Sequence, residues 1–557
     1  MNILYSFLKK SKRLLVLGSV ILVMFVSSAF VNNYFEISKN MEIFTSLYRE
    51  LNIYYVDETQ PGGLMKTGID AMLRSLDPYT VYYPESKIED YRFMTTGHYG
   101  GIGAIVQQIN DEIVIAEPQE GFSAQKAGLQ AGDVVLKIDG QEVGGRTIPE
   151  LGEILKGQAG TEVTITVRRP YVDQILDIKV VRDDVKIPDV PFYAMLDDKT
   201  GYIKLTGFTR TASSDVRNAF KDLKDKQGMQ QLIFDLRGNG GGLLAESVNI
   251  VNFFVPKGSE IVSTKGKLEE WNRTHMALNE PLDTNIPIVV LIDGGSASAS
   301  EIVSGAIQDF DRGVLIGSLS YGKGLVQQTK DLAYNTKLKL TVAKYYIPSG
   351  RCIQKLDYSH RNEFGEVDAV PDSLIKAFTT LGGRTVQDGR GIMPDIEVTL
   401  DEASNILKGL VLNHVIFDFA TKYHHDHDSI ADPASFRLTE QEYKAFEEFA
   451  LSRSFEYNSA TERYFEKLKE MAMAEKYYDG SEAQFEALQK SIAPEKSRDL
   501  QKFSDQIKRE LELEIVLRYT YQTGKIRNAL SNDPFVDEAM SVFNTSYKDI
   551  LKPVTTD

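Results

Sequence analysis

Cysteine is scarce in this 557-residue chain, a net positive charge is absent, and no histidine is conveniently placed. Cys352 is its single cysteine, which excludes an intrachain disulfide and a lipid-bearing cysteine near the amino terminus. The net charge is −16, so no basic surface is implied in bulk, and this argues against a general nucleic-acid binder. None of the seven histidines lies in the glycine-rich segments that carry the candidate chemistry. A serine nucleophile there would need a base of another kind.

What is present can fill real cores: 42% of residues are hydrophobic and 10% aromatic. Length predicts about two to four domains. Residues 14–31, LLVLGSVILVMFVSSAFV, form an unbroken run of apolar and small residues behind Lys9, Lys10, Lys12 and Arg13. Such a run can cross a bilayer core as a helix, and its basic flank keeps the amino terminus in the cytoplasm. Ser27-Ser28-Ala29 resembles a small-residue processing site. Whether the segment is an anchor or a cleaved signal, residues 33–557 are expected outside the cytoplasm, in a periplasm, with an anchor in the inner membrane.

Along the chain, 1–13 reads as the basic cytoplasmic flank and 14–32 as the membrane segment. Residues 33–95 form an N-terminal helical region expected to pack on the core. Ile43, Leu47 and Leu51 share one helical face, the pattern continues through Met65, Ile69, Met72 and Leu73, and Asp77-Pro78 stops it. From 96 to 183 short β-rich stretches alternate with glycine turns, with strands at 102–106, 112–116, 133–138 and 163–167 and helices at 123–127 and 148–155. The strings Ala127-Gly128-Leu129-Gln130-Ala131-Gly132-Asp133 and Ile138-Asp139-Gly140 make this segment resemble a PDZ domain. Gly101, Ile102, Gly103 and Ala104 would then be the loop that receives a peptide carboxylate. Glycines before an exposed strand leave backbone amides free for an anion, and the strand edge can pair with an incoming chain.

Between 184 and 400 strand and helix alternate, and the continuous apolar strands indicate an α/β layer structure. Residues 401–557 are helical and charged, with structural support, a lid or a partner surface all open. His424-His425-Asp426-His427-Asp428, read as a loop, offers metal-ligand residue types but weak geometry, and no metal is expected.

The chemistry concentrates in three strings: Asp235-Leu236-Arg237-Gly238-Asn239-Gly240-Gly241-Gly242, Gly295-Ser296-Ala297-Ser298-Ala299-Ser300-Glu301 and Tyr321-Gly322-Lys323-Gly324. Ser296, Ser298 and Ser300 compete as nucleophile, and residue physics barely ranks them. Lys323 can serve as base only if its surroundings favour the neutral amine. His275 is a poor alternative, on a polar stretch with no strand to fix it.

With Ser75-Leu76-Asp77-Pro78-Tyr79-Thr80, Gly324-Leu325-Val326-Gln327, Tyr345-Tyr346-Ile347-Pro348-Ser349-Gly350-Arg351 and Gly391-Ile392-Met393-Pro394-Asp395, these strings make the chain resemble the carboxy-terminal processing peptidases, or tail-specific proteases. The resemblance implies an α/β crotonase-like peptidase core with an inserted PDZ domain, N-terminal helices and an additional, mostly helical C-terminal region. It implies Ser298 as nucleophile, Lys323 as general base, and Gln327 supporting the lysine. The oxyanion hole would take the backbone N–H of Ala299 and one from Gly241 or Gly242. Gly240 stands where many relatives have proline. The implied substrates are unfolded or flexible protein C-terminal tails, with no organic cofactor and no metal. An adaptor or self-association is among the partner roles left open for residues 401–557, beside structural support. Two alternatives are a noncatalytic PDZ scaffold and a crotonase-type acyl-thioester enzyme.

Overall fold

The computed structural model describes residues 34–553 apart from 173, 363–364 and 458–459. The apolar run 14–31 lies outside them, and among the described residues no helix is long and apolar enough to cross a membrane. The chain divides into two compact units, one of residues up to Tyr82 with Thr329–Leu340, the other of Tyr83–Gln328 with Thr341–Asp557.

The first unit contains helices α1 (34–54) and α2 (Pro61–Arg74), within the stretch whose apolar spacing predicts helix. Pro61 opens α2, where a missing N–H costs nothing, and its carbonyl accepts the Tyr48 hydroxyl at 2.7 Å. Beyond α2, Asp77 accepts the amides of Tyr79 and Thr80 at 2.8 and 2.7 Å, which fixes the turn at Asp77-Pro78. Within this unit Ile43, Leu47 and Leu51 stay exposed, so the burial expected for their shared face is not made inside it.

In the second unit a six-stranded antiparallel sheet runs in the order β1 (Ala104–Ile109), β2 (Glu112–Pro118), β3 (Val134–Ile138), β4 (Glu162–Arg168), β5 (Ile175–Val181), with short Gln141–Glu142 beside β3. Alternation explains the strands: Val163, Ile165 and Val167 of β4 are fully buried, while the threonines between them face outward. Helix α3 (Ile148–Leu155) closes this core with Leu151 and Leu155, and its first turn is fixed by Glu150, which accepts the Thr147 amide at 2.7 Å. The strand expected from Ile102 begins only at Ala104, because Gly103 has φ +70° and turns the chain.

The central layer is a second sheet, ordered β6 (Phe192–Met195), β7 (Thr200–Lys204), β8 (Gln231–Asp235), β9 (Ile288–Ile292), β10 (Val314–Gly317), β11 (Ile396–Glu397). It is parallel from β7 onward, and β6 joins antiparallel. One face, with Ile203, Phe234, Val290 and Leu315, packs against α4 (Ala212–Lys221), α5 (Leu244–Val251) and α6 (Ala299–Asp309). Helix α4 runs on into a wider turn, since Asp222–Lys226 is a π turn.

The C-terminal region has its own core, built from α7 (Val415–Asp426), helices Glu440–Leu451 and Lys496–Lys502, and long α8 (Ser504–Leu530). The chain leaves helical geometry inside α8 at Thr520 and Tyr521. Just beyond, Gln522 donates to both oxygens of Glu117 at 2.9 and 2.8 Å, joining this region to the end of β2. Helix α9 (Pro534–Asn544) then crosses to the central sheet. Its Phe535, Val536, Ala539 and Val542 cover Tyr202, Ile233, Val289, Leu291, Val314 and Ile316. That second cover is the reason β8 to β10 are apolar on both faces. Part of the charged tail is therefore a layer of the α/β core.

Candidate active site

Strand β9 ends in the turn that carries the three competing serines, and burial separates them. Ser296 is fully buried, its hydroxyl donating to the Leu236 carbonyl at 2.9 Å. Ser300 is fully buried as well and donates to the Asn239 carbonyl at 2.8 Å. Ser298 alone is partly exposed. It does not belong to α6, as the periodicity predicts, but sits before its first residue with φ +57° and ψ −111°. A non-glycine residue at positive φ stores strain that the surroundings must hold in place, and such residues gather at functional turns.

Glu301, three residues on, supplies that hold. Its carboxylate lies fully buried and accepts the Ser298 amide at 2.7 Å, the Lys323 amide at 2.9 Å, the Gly322 amide at 2.7 Å and the Ser320 hydroxyl at 2.5 Å. One carboxylate thus joins the serine turn to the lysine turn. Burial pushes the Glu301 carboxyl up to about 7, against the pull of those four hydrogen bonds. Tyr345, also buried, places its hydroxyl 2.6 Å from the Lys323 carbonyl and 3.1 Å from that of Ser298. The two turns share a donor as well as an acceptor.

Lys323 is half-buried between Gly322 and Gly324. These glycines allow a close backbone approach: a Cβ on Gly324 would lie 2.8 Å from the Gln354 amide, and one on Gly322 would lie 2.5 Å from Lys355 Cβ. Gln327 Nε2 donates to Thr341 Oγ1 at 3.2 Å.

The glycine loop after β8 packs directly on the serine turn. A Cβ on Gly241 would come within 2.7 Å of the Ala297 carbonyl and 2.9 Å of both the Ala299 amide and Ser298 Cβ. Gly241 thus packs on Ser298 and Ala299, whereas Gly242 packs on Phe208, and the expectation that Gly241 can donate meets one correction. The Gly241 N–H is taken: it donates to Asn239 Oδ1 at 2.9 Å, while Asn239 Nδ2 donates to the Leu205 carbonyl at 2.8 Å. An asparagine two residues back satisfies this amide locally, so Gly241 offers no oxyanion donor in this geometry. At Gly242 the neighbouring Phe208 bonds use the Gly241 carbonyl and the Leu243 amide, and the Gly242 amide lies outside that pair.

In the β1–β5 domain, the Ile102 and Gly103 carbonyls accept the Ala124 and Gln119 amides at 2.8 and 2.9 Å. Gly101 closes a short strand paired with Asp183, and Ala104 begins β1, which lies at the end of its sheet with one edge unpaired among the described strands. That edge is available to an added strand.

Two minor readings are corrected. His275 lies on the strand Arg273–Met276, not on an unstructured stretch. His424 and His425 are in α7 rather than a loop, and the rings pack on tyrosines: His424 tilted against Tyr519, His425 stacked on Tyr171 and His427 stacked on Tyr423. Among the described residues no cluster could hold a metal. Sequence reasoning missed Glu301, Asn239 and Tyr345. Glu301 had a signal, since Ser-x-x-Glu at a helix start is a capping pattern. Tyr345 had none.

Residues 199–359 match peptidase family S41, 114–169 match the PDZ domain, and 406–543 match the C-terminal helical domain of probable PDZ-proteases. The chain is 40% identical to the carboxy-terminal-processing protease of Bartonella bacilliformis over 339 residues, covering 60% of this chain and 77% of that protein. It is 34% identical to a probable CtpA-like serine protease of Staphylococcus aureus, over 56% of this chain and 62% of that protein. A solved photosystem II D1 C-terminal processing protease is 26% identical, covering 64% of this chain and 92% of that one with a TM-score of 0.34, and adds nothing to the assignment. With an S41 match over the three site strings, and a relative this similar over most of its length, the chain is a serine peptidase and belongs to the carboxy-terminal-processing proteases of family S41.

Proposed function

We propose that the chain is a Ser–Lys endopeptidase that cleaves extracytoplasmic proteins from or near their C-terminal tails. Its residues 184–400 would form a crotonase-like core. The observation that supports this best is the Glu301 clamp: of the three serines only Ser298 is accessible, and one buried carboxylate holds its amide and that of Lys323.

In this reading the free carboxylate of a substrate docks at Gly101, Ile102, Gly103 and Ala104, and the tail extends along the open edge of β1. Neutral Lys323 takes the Ser298 proton as the hydroxyl attacks the peptide carbonyl, with Gln327 supporting the lysine. Charge develops on the carbonyl oxygen, where the amides of Ala299 and Gly242 would receive it. One such donor contributes roughly 3–4 kcal/mol to the transition state. Protonated Lys323 returns its proton to the leaving amine, and water releases the acyl group from Ser298. Gly241 would add its amide only after leaving Asn239, which fits a resting site that awaits a bound tail. The apolar run 14–31 would anchor the enzyme at the membrane, with the site on the far side.

Purified protein mixed with unfolded polypeptides that differ only at their carboxyl ends tests this. Cleavage is expected, lost in S298A and K323A and slowed when the tail is amidated. Unchanged cleavage by S298A would remove the proposed nucleophile. Equal turnover of free and amidated tails would remove the role of Gly101 to Ala104.

A further inference from the structure

The glycine loop has no side chains of its own with which to hold its shape, apart from Asn239. It leaves β8 through Asp235, Leu236 and Arg237, and Arg237 is gripped from both sides. Its Nε and Nη2 donate to Asp235 Oδ1 and Oδ2 at 2.9 and 2.7 Å. Its Nη1 and Nη2 donate to Asp533 Oδ1 and Oδ2 at 3.1 and 2.8 Å. The guanidinium thus spans two carboxylates with paired bonds, the geometry in which arginine is most rigid. Its side chain is 15% exposed, that of Asp235 0% and that of Asp533 12%. Burial alone would raise the Asp235 carboxyl, but the charges of Arg237 and then Lys204 hold it far below the usual carboxylate range.

Asp533 lies 296 positions beyond Arg237. It caps α9, accepting the Phe535 amide at 3.0 Å, and the guanidinium stacks 4.8 Å above the Phe535 ring. Helix α9 is seated on the central sheet by Phe535, Val536, Ala539 and Val542. Asp533 is therefore fixed to the sheet by its own helix, and Arg237 is fixed by Asp533. The next residue, Gly238, donates to Asp293 Oδ1 at 2.8 Å, and Asp293 begins the serine turn.

We propose that Asp533, in the C-terminal helical region, is a positioning residue for the oxyanion side of the active site, acting through Arg237 on the loop Gly238–Gly242. This rests on the Ser–Lys reading above. It gives the tail a role in catalysis that neither a partner surface nor a lid would provide.

The test is Asp533→Asn in the full chain, because asparagine starts helices as well as aspartate does, while it removes the charge and one of the two acceptor oxygens that Arg237 uses. Two readings are taken: hydrogen exchange of the segment 236–243 by mass spectrometry, and steady-state cleavage of an unfolded substrate. Exchange in 236–243 is expected to quicken about tenfold while 534–544 stays protected. The kcat is expected to fall about 10- to 100-fold with KM within about twofold, as for loss of an interaction made in the transition state. Adding Asp533→Asn to Arg237→Lys should cost less than it does alone, since the two share one contact. Unchanged exchange in 236–243 would overturn the proposal whatever the activity, as would faster exchange with kcat unaltered. Exchange that quickens equally across α9 and the sheet would also overturn it, in favour of a merely structural role. Absence of Ser298-dependent cleavage in the parent protein would instead overturn the peptidase reading, and is seen before any Asp533 variant is made.

Discussion

Two glycine-rich loops serve this molecule in opposite ways. Gly101-Ile102-Gly103-Ala104 leads into a strand whose outer edge is open, and its glycines face side chains: a Cβ on Gly101 would meet the Tyr99 ring at 2.7 Å, and one on Gly103 would meet Phe122 Cβ at 2.4 Å. Gly238–Gly242 is held through Asn239, Asp293 and the serine turn, and a Cβ on Gly241 would strike backbone of that turn at 2.7 and 2.9 Å. The Tyr99 ring can rotate away from Gly101, whereas Phe122 Cβ and the backbone of a helix start cannot move in that way. The same residue type thus meets a movable side chain at Gly101 and fixed backbone of the serine turn at Gly241.

The largest expected effects break the second loop's partner outright. S298A or K323A should reduce kcat by about a thousandfold or more with the fold intact, measured by cleavage alongside circular dichroism. G241A comes next. The backbone clash and its φ of +93° should lower kcat about a hundredfold and stability by more than about 1 kcal/mol, read by cleavage and thermal unfolding. G101A sharpens the contrast, because its cost should fall on KM for free-carboxyl tails, roughly fivefold or less, with kcat kept. A fall in kcat for G101A as large as that for G241A would erase the distinction between the loops.

The smallest effect is a pH dependence. Because burial raises the Glu301 carboxyl from 4.5 to about 7, the folded protein holds a proton there that the unfolded chain has released. The sign follows: across pH 4.5 to 7 the native state binds more protons, so this group makes stability fall as pH rises, and the effect levels off above about 7. E301Q, which cannot ionise, should flatten that part of the Tm profile while slowing turnover. A Tm profile of the same slope in E301Q would show that Glu301 does not titrate in this window.

Much of the architecture was legible because local patterns and tertiary demands agree. Alternation in β4, the apolar strands β8 and β9, and the glycine turns between them fall where periodicity puts them. The failures are informative. Ser298 reads as the first residue of a helix but lies outside it at positive φ, where Glu301 three residues on and Tyr345 from farther along the chain hold it. Gly241 reads as a free amide but is satisfied by Asn239, since any flexible loop whose donor is not committed will take the nearest acceptor. The histidines read as a loop cluster, yet α7 continues through His424 and His425, and contact with tyrosines gives their rings a packing role.

The sequence by itself determined the inventory: short strings that resemble a serine peptidase family and a PDZ domain, and local periodicity that marks an α/β core and a helical tail. Tertiary structure alone decided which of three serines is accessible, which carboxylate ties it to Lys323, and that Asp533 grips Arg237. Those outcomes depend on burial and on contacts between residues far apart in the chain. Local spacing carries no record of such contacts, because the same short pattern is compatible with a buried cap or an exposed nucleophile until the rest of the molecule closes around it.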